Sequence, residues 1–285
     1  MVTLEEKAYA KLNLTLDVLG KRPDGYHDLK SVMQTVSLHD TIVMDLQTGK
    51  PWTICCNVEG IPCDERNLVW KAARLFCDTL KKDPGGIEIR IEKRIPSGAG
   101  MGGGSADAAA VLRLLNRYYG NPMSLMALAD LGAKVGSDVP FCVVGGTVMC
   151  EGRGEILRPL SPMPECIFLG CKPEFSISTP VLYRELDEAE IAAHPDNDAM
   201  EAAIAAGDLE GIARNIRNVF DPVVSNQRAE IGHIKEVCRA HGAMAVEMTG
   251  SGSVVFAIMP DMDSATRAME QLKKTYPQVF LASPV

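Results

Sequence analysis

Basic residues are in short supply. Lysine and arginine number 29 against 37 acidic residues in a chain of 285, a net charge of −8. That balance argues against bulk binding to nucleic acid or to an anionic membrane, and leaves room only for a local basic site that takes a phosphorylated small molecule. No long apolar run is present either. The most apolar stretch, residues 139–150, is interrupted by Pro140, Gly145 and Gly146, and it falls short of the ~20 residues a membrane helix needs. The first residues lack a basic segment followed by an apolar core, so no secretory leader is expected. The nine cysteines form no C-x-x-C pair and no zinc spacing; they are expected to be reduced, mostly buried thiols of a cytoplasmic protein. The five histidines are scattered, and no metal ligands can be assigned. Repeats and low-complexity tracts are also missing, and 46% hydrophobic with 23% charged residues describes an ordinary globular chain long enough for two domains.

What the chain does have is glycine, concentrated in one place. Five of the seven residues 98–104 are glycine, directly before an alanine-rich stretch. Upstream, Ile87, Ile89 and Ile91 alternate with charged residues, as in a half-buried strand. Downstream, Ala108, Val111, Leu112 and Leu115 recur at helical spacing. Strand, glycine loop and helix in that order aim backbone N–H groups and the positive end of a helix dipole at one spot, which suits a phosphate chain. Three familiar loops are excluded or weakened by what is missing. Gly98 and Gly103 have Walker A spacing, but Gly104 stands where its lysine belongs. Gly98, Gly100 and Gly103 match G-x-G-x-x-G, yet residues 118–122 supply no acid for a ribose. No His-Arg-Asp or Asp-Phe-Gly follows, so this is not a protein-kinase loop.

The remaining pattern predicts a strand over residues 5–18, with Lys7, Tyr9, Lys11 and Asn13 on its polar face, a turn at 22–25, two strands at 31–37 and 41–46, and a helix over 67–76. A second helix is expected at 124–135, followed by a turn at 136–138 and an apolar strand entered at Asp138. Three prolines in 159–164 read as a domain linker. The second half predicts a strand at 167–171, helices at 196–206, 208–216, 226–240 and 265–272, and strands at 245–248 and 254–259 flanking a small glycine run, 249–253. The mixture implies an α+β or α/β architecture with two lobes.

Phosphoryl transfer needs a phosphate cradle, a cation and a group that handles the nucleophile's proton. The loop offers the cradle, and Ser105 a hydroxyl for phosphate or Mg²⁺. Asp138 is the carboxylate expected to act as base, although it could equally satisfy its own turn. Lys11 could favour an alkoxide and stabilise transferring charge; alone it reads as a snorkelling lysine. Tyr26 and His27 could stack on and hydrogen-bond a heterocycle. The 249–253 run could bring a second backbone to a ligand or be a plain hairpin.

Taken together, Lys11-x-Asn13, the loop from Pro96 through Ser105 to Asp107-Ala108-Ala109, Gly136-x-Asp138-Val139-Pro140 and Thr249-Gly250-Ser251-Gly252 resemble the GHMP kinases across nearly the whole chain. The opening Ala8-Tyr9-Ala10-Lys11-Leu12-Asn13-Leu14, with Lys21-Arg22-Pro23-Asp24-Gly25-Tyr26-His27, resembles the branch whose acceptor alcohol is carried on cytidine diphosphate. Asn67-Leu68-Val69, Gly145-Gly146 and Ser178-Thr179-Pro180 fit the same branch. The resemblance implies an N-terminal lobe like ribosomal protein S5 domain 2 (1–158), a ferredoxin-like C-terminal lobe (159–285), and substrates bound in a cleft between them. It implies an ATP-dependent kinase acting on the 2-hydroxyl of a cytidine-diphosphate-linked methylerythritol, with Asp138 as base and Lys11 beside it. ATP would be held by Pro96, Gly98, Gly100, Met101, Gly102, Gly103, Gly104 and Ser105, with Asn67, Leu68 and Lys93 near the adenine and Mg²⁺ as cofactor. Asn13 and His27 would read the cytosine edge, Tyr26 and Tyr183 would sandwich its ring, and Thr179, Gly250 and Ser251 would complete the substrate set. A cytoplasmic monomer or homodimer without nucleic-acid or membrane partners is expected. The alternatives are a homoserine-type or mevalonate-type kinase of the same superfamily, a catalytically silent binding protein, and a dinucleotide oxidoreductase, the last disfavoured by the missing ribose acid. Departures from the family pattern are Met101 for Leu, Ala106 for Ser, Cys142 for Phe, and no acid directly after Asn218.

Overall fold

Strands and helices alternate irregularly along the computed structural model, which describes residues 2–47, 49–189 and 191–285. The first part holds β1 (Val2–Asn13), β2 (Thr15–Lys21), β3 (His27–Gln47), β4 (Thr53–Cys56), α1 (Leu68–Leu80), β5 (Gly86–Glu92) and α2 (Gly103–Tyr118). There follow α3 (Leu125–Gly132), α4 (Val139–Val144), β6 (Thr147–Gly152), β7 (Ile156–Pro159), β8 (Ile167–Lys172), α5 (Thr179–Glu188), α6 (Asn197–Ala206) and α7 (Leu209–Asn215). The chain ends with β9 (Arg217–Asn218), α8 (Asp221–Ser225), α9 (Ala229–Ala240), β10 (Ala245–Met248), β11 (Val255–Met259), α10 (Met262–Lys273) and β12 (Gln278–Ala282). Among the described residues no helix is long and apolar enough to cross a membrane.

These elements form two compact units, each built from several chain segments. One comprises Met1–Ala10, Leu38–Ser97 and Gly102–Gly145. Here β5 pairs antiparallel with residues 41–47 of β3 and parallel with β4. The alternation at Ile87, Ile89 and Ile91 buries all three. Two helices pack closely because α2 presents alanine: Ala106, Ala108, Ala109 and Ala110 are buried, as are Val69, Ala72, Ala73 and Phe76 of α1. Each fully buried large side chain of this kind contributes about 1.5–3 kcal/mol.

The other unit comprises Lys11–Ser37, Gly98–Met101 and Gly146–Val285. Residues 27–34 of β3 pair antiparallel with β2 and β6, and β2 pairs parallel with β9. A separate antiparallel sheet runs β10-β11-β8-β12, and its core includes Leu169, Val255 and Ala257 from the strands with Ile231, Ile234, Ala268 and Leu272 from α9 and α10. Residues 159–164 lie in this unit and are tied down: Leu160 N donates to Thr147 O at 2.9 Å and Met163 N to Thr147 Oγ1 at 3.1 Å.

Several local expectations need correction. The two strands expected at 31–37 and 41–46 are one strand, β3. The strand expected over 5–18 is broken at Leu14 into β1 and β2. The apolar run after Asp138 is helix α4, because Pro140 sits in its first turn, where a missing N–H costs nothing. The helix expected at 226–240 starts at Ala229. Of the nine cysteines only Cys77, Cys150, Cys171 and Cys238 are buried, so the thiols are not mostly buried.

Candidate active site

The glycine loop ends where α2 begins. Gly102 caps that helix in the left-handed conformation, φ 69°, with no side-chain cap and no acidic residue in the first turn. The opening N–H groups therefore lack both helical carbonyls and a capping side chain, and the dipole's positive end is not neutralised. Ser105 is in this turn, and a Cβ at Gly136 would lie 3.9 Å from its Oγ, so the 136–138 turn runs alongside the helix start. Asp138 holds the N-cap position of α4, its C=O accepting from Cys142 N at 3.1 Å, but its side chain makes no cap hydrogen bond. The carboxylate is thus not spent on the helix it precedes.

Lys93 lies under the same turn. A Cβ at Gly103 would be 3.1 Å from its Nζ. The ammonium is buried and donates to Asp107 Oδ2 at 2.7 Å and to Asp40. Asp40, fully buried, also accepts from Ile95 N at 2.8 Å, which fixes the chain entering the loop. Burial pushes the Asp107 carboxyl up to about 7; Lys93 opposes the rise and the Asp40 charge adds to it. Its Oδ1 is buried with no hydrogen-bond partner, so nothing on that side favours the anion. Burial works to lower the Lys93 ammonium, but the two carboxylates outweigh it and the net shift is upward. A folded-state carboxyl raised above its unfolded value binds more protons when folded, so it favours folding below pH ~4 and loses that contribution as pH rises through about 7. Urea unfolding from pH 4 to 8 is therefore expected to show Asp107→Asn gaining stability on the wild type as pH rises. A pH-independent difference would contradict it.

Asn67 is the N-cap of α1. Its Oδ1 accepts from Val69 N at 3.1 Å and its Nδ2 donates to Pro62 O at 2.7 Å. Leu68 opens that helix, 3.6 Å from where a Gly104 Cβ would sit.

In the second unit, Lys11 is 3% exposed, not the solvated lysine that its polar strand face predicts. Its Nζ donates to Asn13 Oδ1 at 2.5 Å, and its N–H donates to Met101 O at 3.1 Å. Asn13 N donates to Thr249 Oγ1 at 2.9 Å and Asn13 Nδ2 to Ser31 Oγ at 2.8 Å. The two glycine runs touch backbone to backbone. Val254 N donates to Ala99 O at 3.2 Å. A Cβ on Gly100 would strike Thr249 O and lie 3.1 Å from Gly252 N, and one on Gly250 would lie 2.8 Å from Gly100 O and 3.3 Å from Lys11 Nζ. Asn218 clamps the run from behind, its Nδ2 donating to Met248 O at 2.7 Å and Gly250 O at 2.8 Å. Thr179 and Ser251 share a 2.8 Å hydrogen bond.

Three rings of this unit, His27, Tyr26 and Tyr183, lie at the β2–β3 hairpin or pack against it. His27 is 8% exposed; its ring stacks on Tyr183 with centroids 4.6 Å apart and 26° between planes. Its Nε2 lies 2.7 Å from Asp187 Oδ1. Tyr26 is 54% exposed, with the Arg153 guanidinium 4.9 Å above its ring. Within this unit Lys11, Asn13, Gly100 and Gly250 come together, as do His27 and Tyr183; within the other, Lys93, Gly103 and Ser105 cluster at the start of α2. Sequence reasoning missed Asp40, the clamping role of Asn218, and Asp187. The spacing of Tyr183 and Asp187, four residues apart, is a legible signal for the last. Asp221, three residues after Asn218, is buried and pairs with Lys235.

Family models describe residues 67–146 as the GHMP kinases N terminal domain and residues 200–278 as GHMP kinases C terminal. A 4-diphosphocytidyl-2-C-methyl-D-erythritol kinase of Clostridium perfringens is 43% identical over 274 residues, covering 96% of this chain and 94% of that one. A crystal structure of 4-(cytidine 5'-diphospho)-2C-methyl-D-erythritol kinase superposes with a TM-score of 0.82 at 31% identity, covering 99% of both chains. Homoserine kinase from Cytophaga hutchinsonii superposes at 0.78 with 19% identity, covering 99% of this chain and 94% of that one, which shows a common fold and nothing about the acceptor.

Proposed function

We propose a function from one premise: this chain belongs to the GHMP kinases and, within them, to the 4-diphosphocytidyl-2-C-methyl-D-erythritol kinase family. It is an ATP-dependent small-molecule kinase. It phosphorylates the 2-hydroxyl of 4-diphosphocytidyl-2-C-methyl-D-erythritol, giving the 2-phosphate and ADP, in the non-mevalonate route to isoprenoids. The observation that carries the reading is relatedness over 96% of the chain at 43% identity. The Tyr183–His27 stack supports it, since a kinase of bare homoserine or mevalonate has no use for a planar-ring station.

In the proposed mechanism the acceptor oxygen attacks the γ-phosphorus in line. The bond from that phosphorus to the bridging oxygen breaks, ADP leaves, and Asp138 takes the hydroxyl proton. Lys11 stabilises the charge that develops, and the backbone from Pro96 to Ser105 holds the phosphates. Among the described residues no cluster of three or more His, Cys, Asp or Glu side chains could cage a metal. Mg²⁺ fits regardless, because it keeps waters and phosphate oxygens and needs only one or two protein ligands; the Ser105 hydroxyl at the start of α2 is of that kind. Mg²⁺ would supply neutralisation of phosphate charge. Asn67, Leu68 and Lys93 are assigned to the adenine side. Asn13, Tyr26, His27, Thr179, Tyr183, Gly250 and Ser251 are assigned to the cytidyl substrate. The functional halves are assigned to 1–158 and 159–285, with one family match in each, and the compartment is assigned to the cytoplasm.

The test is ATP turnover with Mg²⁺ on the cytidyl alcohol, homoserine and mevalonate. Turnover on the first alone is expected. Turnover on either of the others instead would keep the fold and discard the cytidyl assignment, and ATP binding with no turnover on any would favour a silent binding protein.

A further inference from the structure

Helix α5 meets the β2–β3 hairpin at His27 and Lys21. Tyr183 and Asp187 are one helical turn apart on α5 and so share a face. Both engage His27, the tyrosine by stacking and the carboxylate at Nε2. Lys21, the register partner of His27 across the hairpin, donates to the other oxygen, Asp187 Oδ2, at 3.0 Å. The Asp187 carboxyl is held below its usual range, first by the His27 hydrogen bond and then by that of Lys21. An ionised carboxylate only accepts, so the His27 nitrogen facing it must carry the hydrogen. Which ring nitrogen bears the proton is decided by the partner of the other one.

We propose that Asp187 is a positioning residue that fixes His27 as the Nε2–H tautomer, leaving Nδ1 as an acceptor that selects a base carrying an exocyclic amine over one carrying an oxo group. The inference rests on the cytidyl reading above. A cytosine 4-amino group donates to a bare Nδ1. The 4-oxo group of uracil would set one lone pair against another, and a site with a committed acceptor rejects such an analogue strongly. Stacking on Tyr183 holds the ring plane, and Asp187 sets which edge of the ring is the acceptor. Lys21 completes the arrangement by holding the carboxylate's second oxygen.

The test is steady-state kinetics with the cytidyl-linked and uridyl-linked alcohols on the wild type, Asp187→Ala and Asp187→Asn. The wild type should prefer the cytidyl substrate by about a hundredfold or more, and Asp187→Ala should shrink that preference at least about tenfold through KM, with kcat changed by less than about threefold. Asp187→Asn keeps an oxygen that accepts from Nε2–H and should recover most of the lost preference. An unchanged preference in Asp187→Ala, or an equal fall in kcat on both substrates, overturns the role. Nitrogen NMR of the wild-type imidazole reads the tautomer with no substitution at all; an Nδ1–H form overturns it as well. A wild type that phosphorylates the cytidyl and uridyl alcohols equally overturns this inference and leaves the kinase reading standing, whereas a wild type that does not phosphorylate the cytidyl alcohol removes the substrate reading and the inference with it.

Discussion

Replacing Asp138 with asparagine is expected to cut kcat by about a thousandfold while ATP affinity stays within a few fold and the melting temperature barely moves. The near-isosteric amide cannot take the proton of the acceptor hydroxyl. Asp138 stands at the N-cap of α4 without lending that helix its side chain, so the helix should survive the change, and the amide keeps the side chain's volume and one acceptor oxygen. A capping aspartate would behave differently, since its loss costs about 0.5–2 kcal/mol. The separation of kcat from stability is therefore the informative readout. If kcat fell by less than about tenfold, proton removal would not be part of the rate-limiting step, as a loose phosphoryl-transfer transition state could allow. If stability and kcat fell together, Asp138 would be a structural residue.

The second large effect is expected at Gly100. Its φ is 76°, so any other residue there is strained, and its Cβ would strike Thr249 O as well as crowding Gly252 N and O at 3.1 and 3.2 Å. Both obstacles are backbone, which no rotamer change can relieve. Gly120 supplies the control: φ is 79°, and nothing lies within 4 Å of its Cβ position. Gly120→Ala should cost about 1–2 kcal/mol, the left-handed penalty alone. Gly100→Ala should cost roughly 3 kcal/mol or more and lower kcat/KM by at least about a hundredfold, because the Gly98–Met101 segment must leave the 249–253 run. Urea unfolding and steady-state kinetics on the two variants measure this. Equal losses would mean that the close approach of the two glycine runs carries no energy.

Much of this arrangement was legible in the sequence, for identifiable reasons. The strand, loop and helix around residues 87–115 follow directly from period-two isoleucines, clustered glycines and helical-period apolar residues. The Gly207 stop and the Asp208 cap of α7 were also visible as local chemistry. Helix α4 was not, because a short apolar run has no periodicity of its own and Pro140 starts a helix as readily as it breaks a strand. The burial of Lys11 escaped the strand pattern for a different reason. Alternation assigns a residue to a face, but what covers that face is set by Gly250, more than two hundred residues away in the chain. Asp40 likewise reads as one more charge in a strand until Lys93 and Ile95 are placed beside it. Asp187 was missed because no element was expected at 179–188, although Leu182 and Leu186 mark the buried side of α5.

The most direct test of the central claim is the identity of the phosphorylated atom. The purified protein is incubated with ATP, Mg²⁺ and 4-diphosphocytidyl-2-C-methyl-D-erythritol, and the product is analysed by phosphorus NMR and mass spectrometry. One new phosphomonoester on the 2-hydroxyl, appearing in step with ADP and absent with Asp138→Asn, is the predicted result. ADP formed without that ester, or phosphate transferred to a different hydroxyl, would contradict it.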